Sequence, residues 1–102
     1  MEKEIQKAIL DYLCLKKIFH YRNNSGAVVS QYKGKTRFFR FGAEGSPDIV
    51  CVINGIYIAL EVKDKSKQSE KQKEFQEKLE KAGGHYFLVR SLNETIQCLN
   101  EL

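Results

Sequence analysis

The chain has 102 residues, enough for one compact core and too few for a second independent one. Hydrophobic residues at 42% and charged residues at 29% match a soluble globular domain, and no apolar run approaches the roughly 18 residues of a membrane span. Seventeen Lys and Arg against 13 Asp and Glu leave +4, a mild bias towards polyanions that many domains carry without such a partner.

Ile5, Ala8, Ile9, Tyr12 and Leu13 recur at helical spacing, which predicts a first helix over 3–17 with Lys16 and Lys17 at its C-terminal end. This N-terminal stretch is charged and periodic, unlike a signal peptide. A short strand over 18–22 then meets the turn formers at 23–26. Strands over 27–32 and 36–41 make a first hairpin, and a loop of small residues over 42–47 leads to Asp48. The next two strands, 48–53 and 56–63, are joined by Asn54-Gly55, a pair suited to a type I′ turn. Their continuous apolar character places them centrally, covered on both faces.

Beyond residue 63 the composition turns polar. Ser69 and Gln72 form a capping-box pattern, and Gln72, Phe75, Leu79 and Ala82 share one helix face that ends before Gly83. Residues 85–89 form a strand parallel to 56–63, because a helix connects the two. Ser91 and Glu94 suggest a second capping box, opening a last helix with Leu92, Ile96 and Leu99 inward. The expected order is α-β-β-β-β-β-α-β-α, an α/β fold with a mixed sheet and helices against it. Cys14, Cys51 and Cys98 lack metal-ligand spacing and sit in apolar stretches, which suggests buried, reduced thiols in a soluble intracellular protein. His20 and His85 have no partner in sequence and read as structural.

Counting outward from Asn54-Gly55 sets Ile53 opposite Ile56, Cys51 opposite Ile58, Ile49 opposite Leu60 and Asp48 opposite Glu61. Opposed residues point to one side of a sheet, and Lys63 shares that side with Glu61. Two carboxylates and an ammonium therefore meet at one end of an apolar hairpin. Paired carboxylates repel unless a cation offsets them, and an oxygen-only ligand set suits Mg²⁺ or Mn²⁺. The backbone carbonyl of Val62 is a candidate third ligand; a phosphate oxygen and a water would supply the rest. Lys63 would orient or deprotonate that water, or stabilise charge on the phosphoryl group. This set suggests phosphodiester hydrolysis. Taken singly, Pro-Asp is a common turn and Glu-x-Lys a common solvated pair; their conjunction gives the pattern its meaning.

Pro47-Asp48 followed by Glu61-Val62-Lys63 across a hydrophobic hairpin resembles the PD-(D/E)xK nuclease signature. The flanking residues resemble its virus-type replication-repair nuclease (VRR-Nuc) branch: Arg22-Asn23-Asn24-Ser25-Gly26, Phe41-Gly42, Gly45-Ser46, Ser69-Glu70-Lys71-Gln72 and Gly83-Gly84. The resemblance spans nearly the whole chain, in order. It implies a single stand-alone domain over 1–102 with a restriction-endonuclease-like core. It also implies Mg²⁺- or Mn²⁺-dependent cleavage of branched DNA like that of Holliday-junction resolvases, and homodimerisation. An intracellular protein, including a phage-encoded one acting in its host cell, fits. Asp48 and Glu61 would be metal ligands and Lys63 the catalytic lysine. Gln72 matches a glutamine near that lysine, while its spacing also makes it the Ser69 cap partner. A glutamate of the first helix would reach the metal through water; Glu2 is in phase with the buried stripe, and Glu4 is the second candidate. Either would also suit the helix N-terminus electrostatically.

Lys33, Lys35, Arg37 and Arg40 alternate with aromatic residues in the first hairpin, and suit a phosphate clamp that reads no sequence. A lysine-protected edge hairpin explains the same pattern. The resemblance adds Arg22 and Asn23 as phosphate contacts, and Lys65, Lys67, Lys71 and Lys73 lie nearby in sequence. A catalytically inactive nucleic-acid-binding module of the same fold is the alternative from another class. A sequence-specific restriction-type enzyme is a third, although little chain remains to read bases.

Overall fold

The computed structural model describes residues 1–23, 27–32, 34–40 and 44–102, with strand pairing but no side chains described for 27–32 and 35–40. In chain order the elements are α1 (Glu2–Leu15), β1 (Phe19–Arg22), β2 (Ala27–Tyr32), β3 (Lys35–Arg40), β4 (Ile49–Ile53), β5 (Ile56–Val62), α2 (Glu70–Lys81), β6 (His85–Val89) and α3 (Leu92–Asn100). This is an α/β fold whose four-stranded mixed sheet runs β1-β4-β5-β6. Beta-1 pairs directly and antiparallel with β4, so the chain between them leaves the sheet and returns to the same place. Accordingly β2 and β3 form a separate two-stranded sheet instead of joining the main one. Among the described residues no helix is long and apolar enough to cross a membrane.

The hairpin β4–β5 has the expected register, from Ile53 opposite Ile56 to Ile49 opposite Leu60. Asn54 and Gly55 both take positive φ, 52° and 80°, as a type I′ turn requires. Alternation then sorts the two sheet faces. Ile49, Cys51, Ile58, Leu60, Val62 and Val89 meet Ile9 and Leu13 of α1, with Leu92 and Leu99 of α3 packed alongside. The opposite face carries Val50, Ala59, Glu61 and Tyr86, and α2 approaches it through Phe75, whose ring lies 6.3 Å from that of Tyr86.

Several local expectations shift. Helix α1 stops at Leu15, so Lys16 is its C-cap, and Lys17 takes the left-handed conformation at φ 57°. The N–H groups of Lys17 and Ile18 then donate to the carbonyls of Cys14 and Leu13, a Schellman pairing. Strand β3 begins at Lys35, one residue earlier than its pattern suggests, because Tyr32 pairs with Lys35. Ala82 is the exposed C-cap of α2 rather than part of its packed face. In α3 the fully buried position is Thr95, whose hydroxyl donates to the Ser91 carbonyl at 2.9 Å, whereas Ile96 is half-buried. Glu94 accepts from Arg90 N–H, so the Ser91 cap lacks its reciprocal bond to the cap residue itself. Cys51 is buried, but Cys14 is exposed and Cys98 half-buried, all three as free thiols.

Candidate functional site

Asp48 stands one residue before β4, at a bend. The backbone ladder ends at Ile49 opposite Leu60, and the Asp48 carboxylate takes the next place in it: Oδ2 accepts from Val62 N–H at 2.9 Å. Asn23 secures the same turn from the β1 side. Its N–H donates to the Asp48 carbonyl at 2.8 Å, and its side-chain amide donates to the Pro47 carbonyl at 3.0 Å. Gly45 lets this loop lie on α2. It has φ 80°, and a Cβ there would overlap the Lys71 carbonyl.

Glu61 is 3% exposed, on the α2 side of β5, and within hydrogen-bonding reach of Asp48. Burial, then the Asp48 charge and the contact with Asp48, push its carboxyl from 4.5 up to about 8. The ammonium of Lys63 opposes this from 3.9 Å, and the charge of Glu2 adds a little to it. The lysine does not cancel the shift, because desolvation and a like charge act together. Asp48 and Glu61 lie close together and Lys63 stands 3.9 Å from Glu61, but Asp48 sits outside the strand ladder, bonded to Val62 N–H, rather than paired opposite Glu61 as counting from the turn predicts.

The two helix-one glutamates part company. Glu2 is close enough to act on Glu61, whereas Glu4 lines a cavity of about 420 Å³ with Lys7, Leu10, Asp11 and Arg22. Arg22 is exposed there, and Asn23 is occupied with Pro47 and Asp48. Gln72 closes the capping box: its Oε1 accepts from Ser69 N–H at 2.8 Å, and its N–H donates to Ser69 Oγ at 3.2 Å. Lys71 lies 3.9 Å from Glu44 and 3.6 Å from Glu74, and Lys73 lies 3.5 Å from Glu70, so much of this positive charge is met locally. Lys33 lies outside the described residues, as do the side chains of Lys35, Arg37 and Arg40. His20 Nδ1 contacts the Ile18 carbonyl at 2.7 Å, and the His85 ring stacks on Phe87 at 6.1 Å.

Sequence reasoning gave Ser46 no role of its own and passed over Gln68 and Tyr86. Among the described residues the buried hydroxyls of Ser46 and Tyr86 have no hydrogen-bond partner, and Gln68 lies beside the Tyr86 phenol. Tyr86 reads as core because it sits inside His85-Tyr86-Phe87-Leu88-Val89; only its pairing opposite Ala59 puts it on the Glu61 side.

Among the described residues no group of three or more His, Cys, Asp or Glu converges as a ligand cluster. The acid pair nevertheless fits a hard divalent ion. Glu61 Oε2 is buried without a partner, the neighbouring carboxylate repels it, and such ions are commonly held by one or two carboxylates. In comparisons with known proteins, no family model matches the chain and no curated protein matches it in sequence.

Proposed function

We propose that the chain is a Mg²⁺- or Mn²⁺-dependent, structure-selective DNA endonuclease with a restriction-endonuclease-like core, cutting branched DNA in the manner of a Holliday-junction resolvase. The observation that carries this reading is the buried acid pair, with Glu61 held up to about 8 beside Asp48. Holding a DNA strand requires no like-charged carboxylates in a dry niche, whereas holding a divalent cation does. The resemblance of Pro47-Asp48 and Glu61-Val62-Lys63 to the VRR-Nuc pattern supports the same conclusion.

Asp48 and Glu61 would hold the ion, with the Val62 carbonyl as a third candidate ligand. When bound, the ion would polarise the phosphodiester and lower the pKa of the attacking water. Asp48 is pre-ordered for this by Val62 N–H and by the Asn23 bonds to its turn, so binding need not freeze it. Lys63 is 16% exposed at its side chain and lies 3.9 Å from Glu61. There it would stabilise negative charge developing on a phosphoryl oxygen. Glu2 adds negative potential at the rim, consistent with an outer contact to the ion.

Incubating the protein and Mg²⁺ with a synthetic four-way junction, and in parallel with plain duplex, tests the proposal. The wild type is expected to cut the junction preferentially. Lys63→Ala is expected to slow cleavage by about 10²–10³-fold, the usual loss for one charge-stabilising donor. No junction cleavage by the wild type, or equal rates for both proteins, contradicts the reading.

A further inference from the structure

Among the described residues three buried side-chain polar atoms have no hydrogen-bond partner: Ser46 Oγ, Glu61 Oε2 and Tyr86 Oη. Buried polar atoms are nearly always paired, so each orphan asks for an explanation. Glu61 belongs to the acid pair, and Ser46 lies immediately before the Pro47-Asp48 turn. Tyr86 arrives from a different element.

Tyr86 is 5% exposed and stands on β6 opposite Ala59, hence on the same side of the sheet as Glu61, two residues along β5. Its ring is fixed by Phe75 of α2. The Gln68 amide lies beside the phenol oxygen and favours its ionised form, and Gln68 is itself held by a 2.8 Å bond to Gln76. A phenol both donates and accepts, so a donor beside its oxygen leaves the O–H proton for another group. The acceptors whose charge acts on this phenol are Glu61 and Asp48. Ionised Glu61 is an acceptor only, and its Oε2 is the buried oxygen still without a donor.

We propose that Tyr86 is a positioning residue of the acid pair: its O–H donates to the Glu61 carboxylate across one water, and holds it in the orientation that binds metal. The inference rests on the metal-site reading above. Donors of this kind, outside the ligands themselves, typically govern metal affinity.

Calorimetric titration of the purified chain with Mn²⁺ tests it. The wild type is expected to bind and Glu61→Gln to lose binding. Tyr86→Phe removes only the hydroxyl and is expected to bind about 10–100-fold more weakly. Its metal-free melting temperature should stay close to that of the wild type, because the ring contact with Phe75 survives. Tyr86→Leu should melt earlier yet show the same loss of Mn²⁺ affinity as Tyr86→Phe. Wild-type affinity in Tyr86→Phe, or a loss confined to Tyr86→Leu, overturns the inference and leaves the metal site standing. No Mn²⁺ binding by the wild type overturns the metal-site reading, and the inference with it.

Discussion

Protonation of Glu61 ties the stability of the metal-free protein to pH. Its carboxyl sits at about 8 in the folded chain against an ordinary 4.5, so the folded state holds a proton that the unfolded state releases. The stability from this group is fully present below about 4.5 and is lost as pH rises through about 8. Thermal melts without metal should therefore show wild-type stability falling, relative to Glu61→Gln, across that window. A constant difference between the two proteins would contradict the buried pair. The thiols divide by burial as well. Burial pushes Cys51 up to about 11, while Cys14 is exposed. Ellman titration of the folded chain should label Cys14 quickly, with Cys51 reacting only after denaturation. Rapid reaction of Cys51 in the native protein would show that β4 is not the closed central strand described.

At the scale of elements, glycine and its substitutes decide how the loops close. Gly45 combines a positive φ with contact against the α2 backbone, so Gly45→Ala should cost on the order of 2–4 kcal/mol. An urea midpoint unchanged by that substitution would refute the close packing of the loop on α2. Lys17 makes the opposite case. It occupies a left-handed cap position without being glycine, and Lys17→Gly should stabilise by up to about 1 kcal/mol. Legibility of the elements follows the same division. Asn54-Gly55 carried the register of β4–β5 in its own chemistry, and with it the place of Glu61 near the end of the hairpin. The Ser69–Gln72 cap was equally readable, since both partners are close in sequence. What stayed hidden depends on distant segments: Asn23 bracing Pro47, Asp48 replacing a backbone rung on Val62, and Tyr86 lying on the Glu61 side of the sheet from β6. None of these has a periodic signature, because each arises where separate elements are brought together. Thr95 was missed for another reason: its polarity hides a burial that the Ser91 carbonyl makes tolerable.

For the whole molecule, β5 is the organising strand. It lies between β4 and β6, carries Glu61 near its C-terminal end, and leaves Lys63 just beyond. Core burial on the α1–α3 side fixes the register, and a slip by one residue would carry Glu61 into that core. The catalytic reading therefore depends on the same alternation that stabilises the fold. A four-way junction needs two cuts, and one chain offers one acid pair, so a two-fold dimer would match the substrate. Light scattering should give twice the 11.8 kDa chain mass at micromolar concentration; a monomer would remove the resolvase model while leaving a nicking enzyme. The most direct test of the central claim compares wild type and Asp48→Asn for Mg²⁺-dependent cleavage of an end-labelled four-way junction. The acid-pair account predicts that the wild type cuts, that a chelator stops it, and that Asp48→Asn stays folded but does not cut. Cleavage by Asp48→Asn at the wild-type rate, or cleavage that survives the chelator, would contradict it.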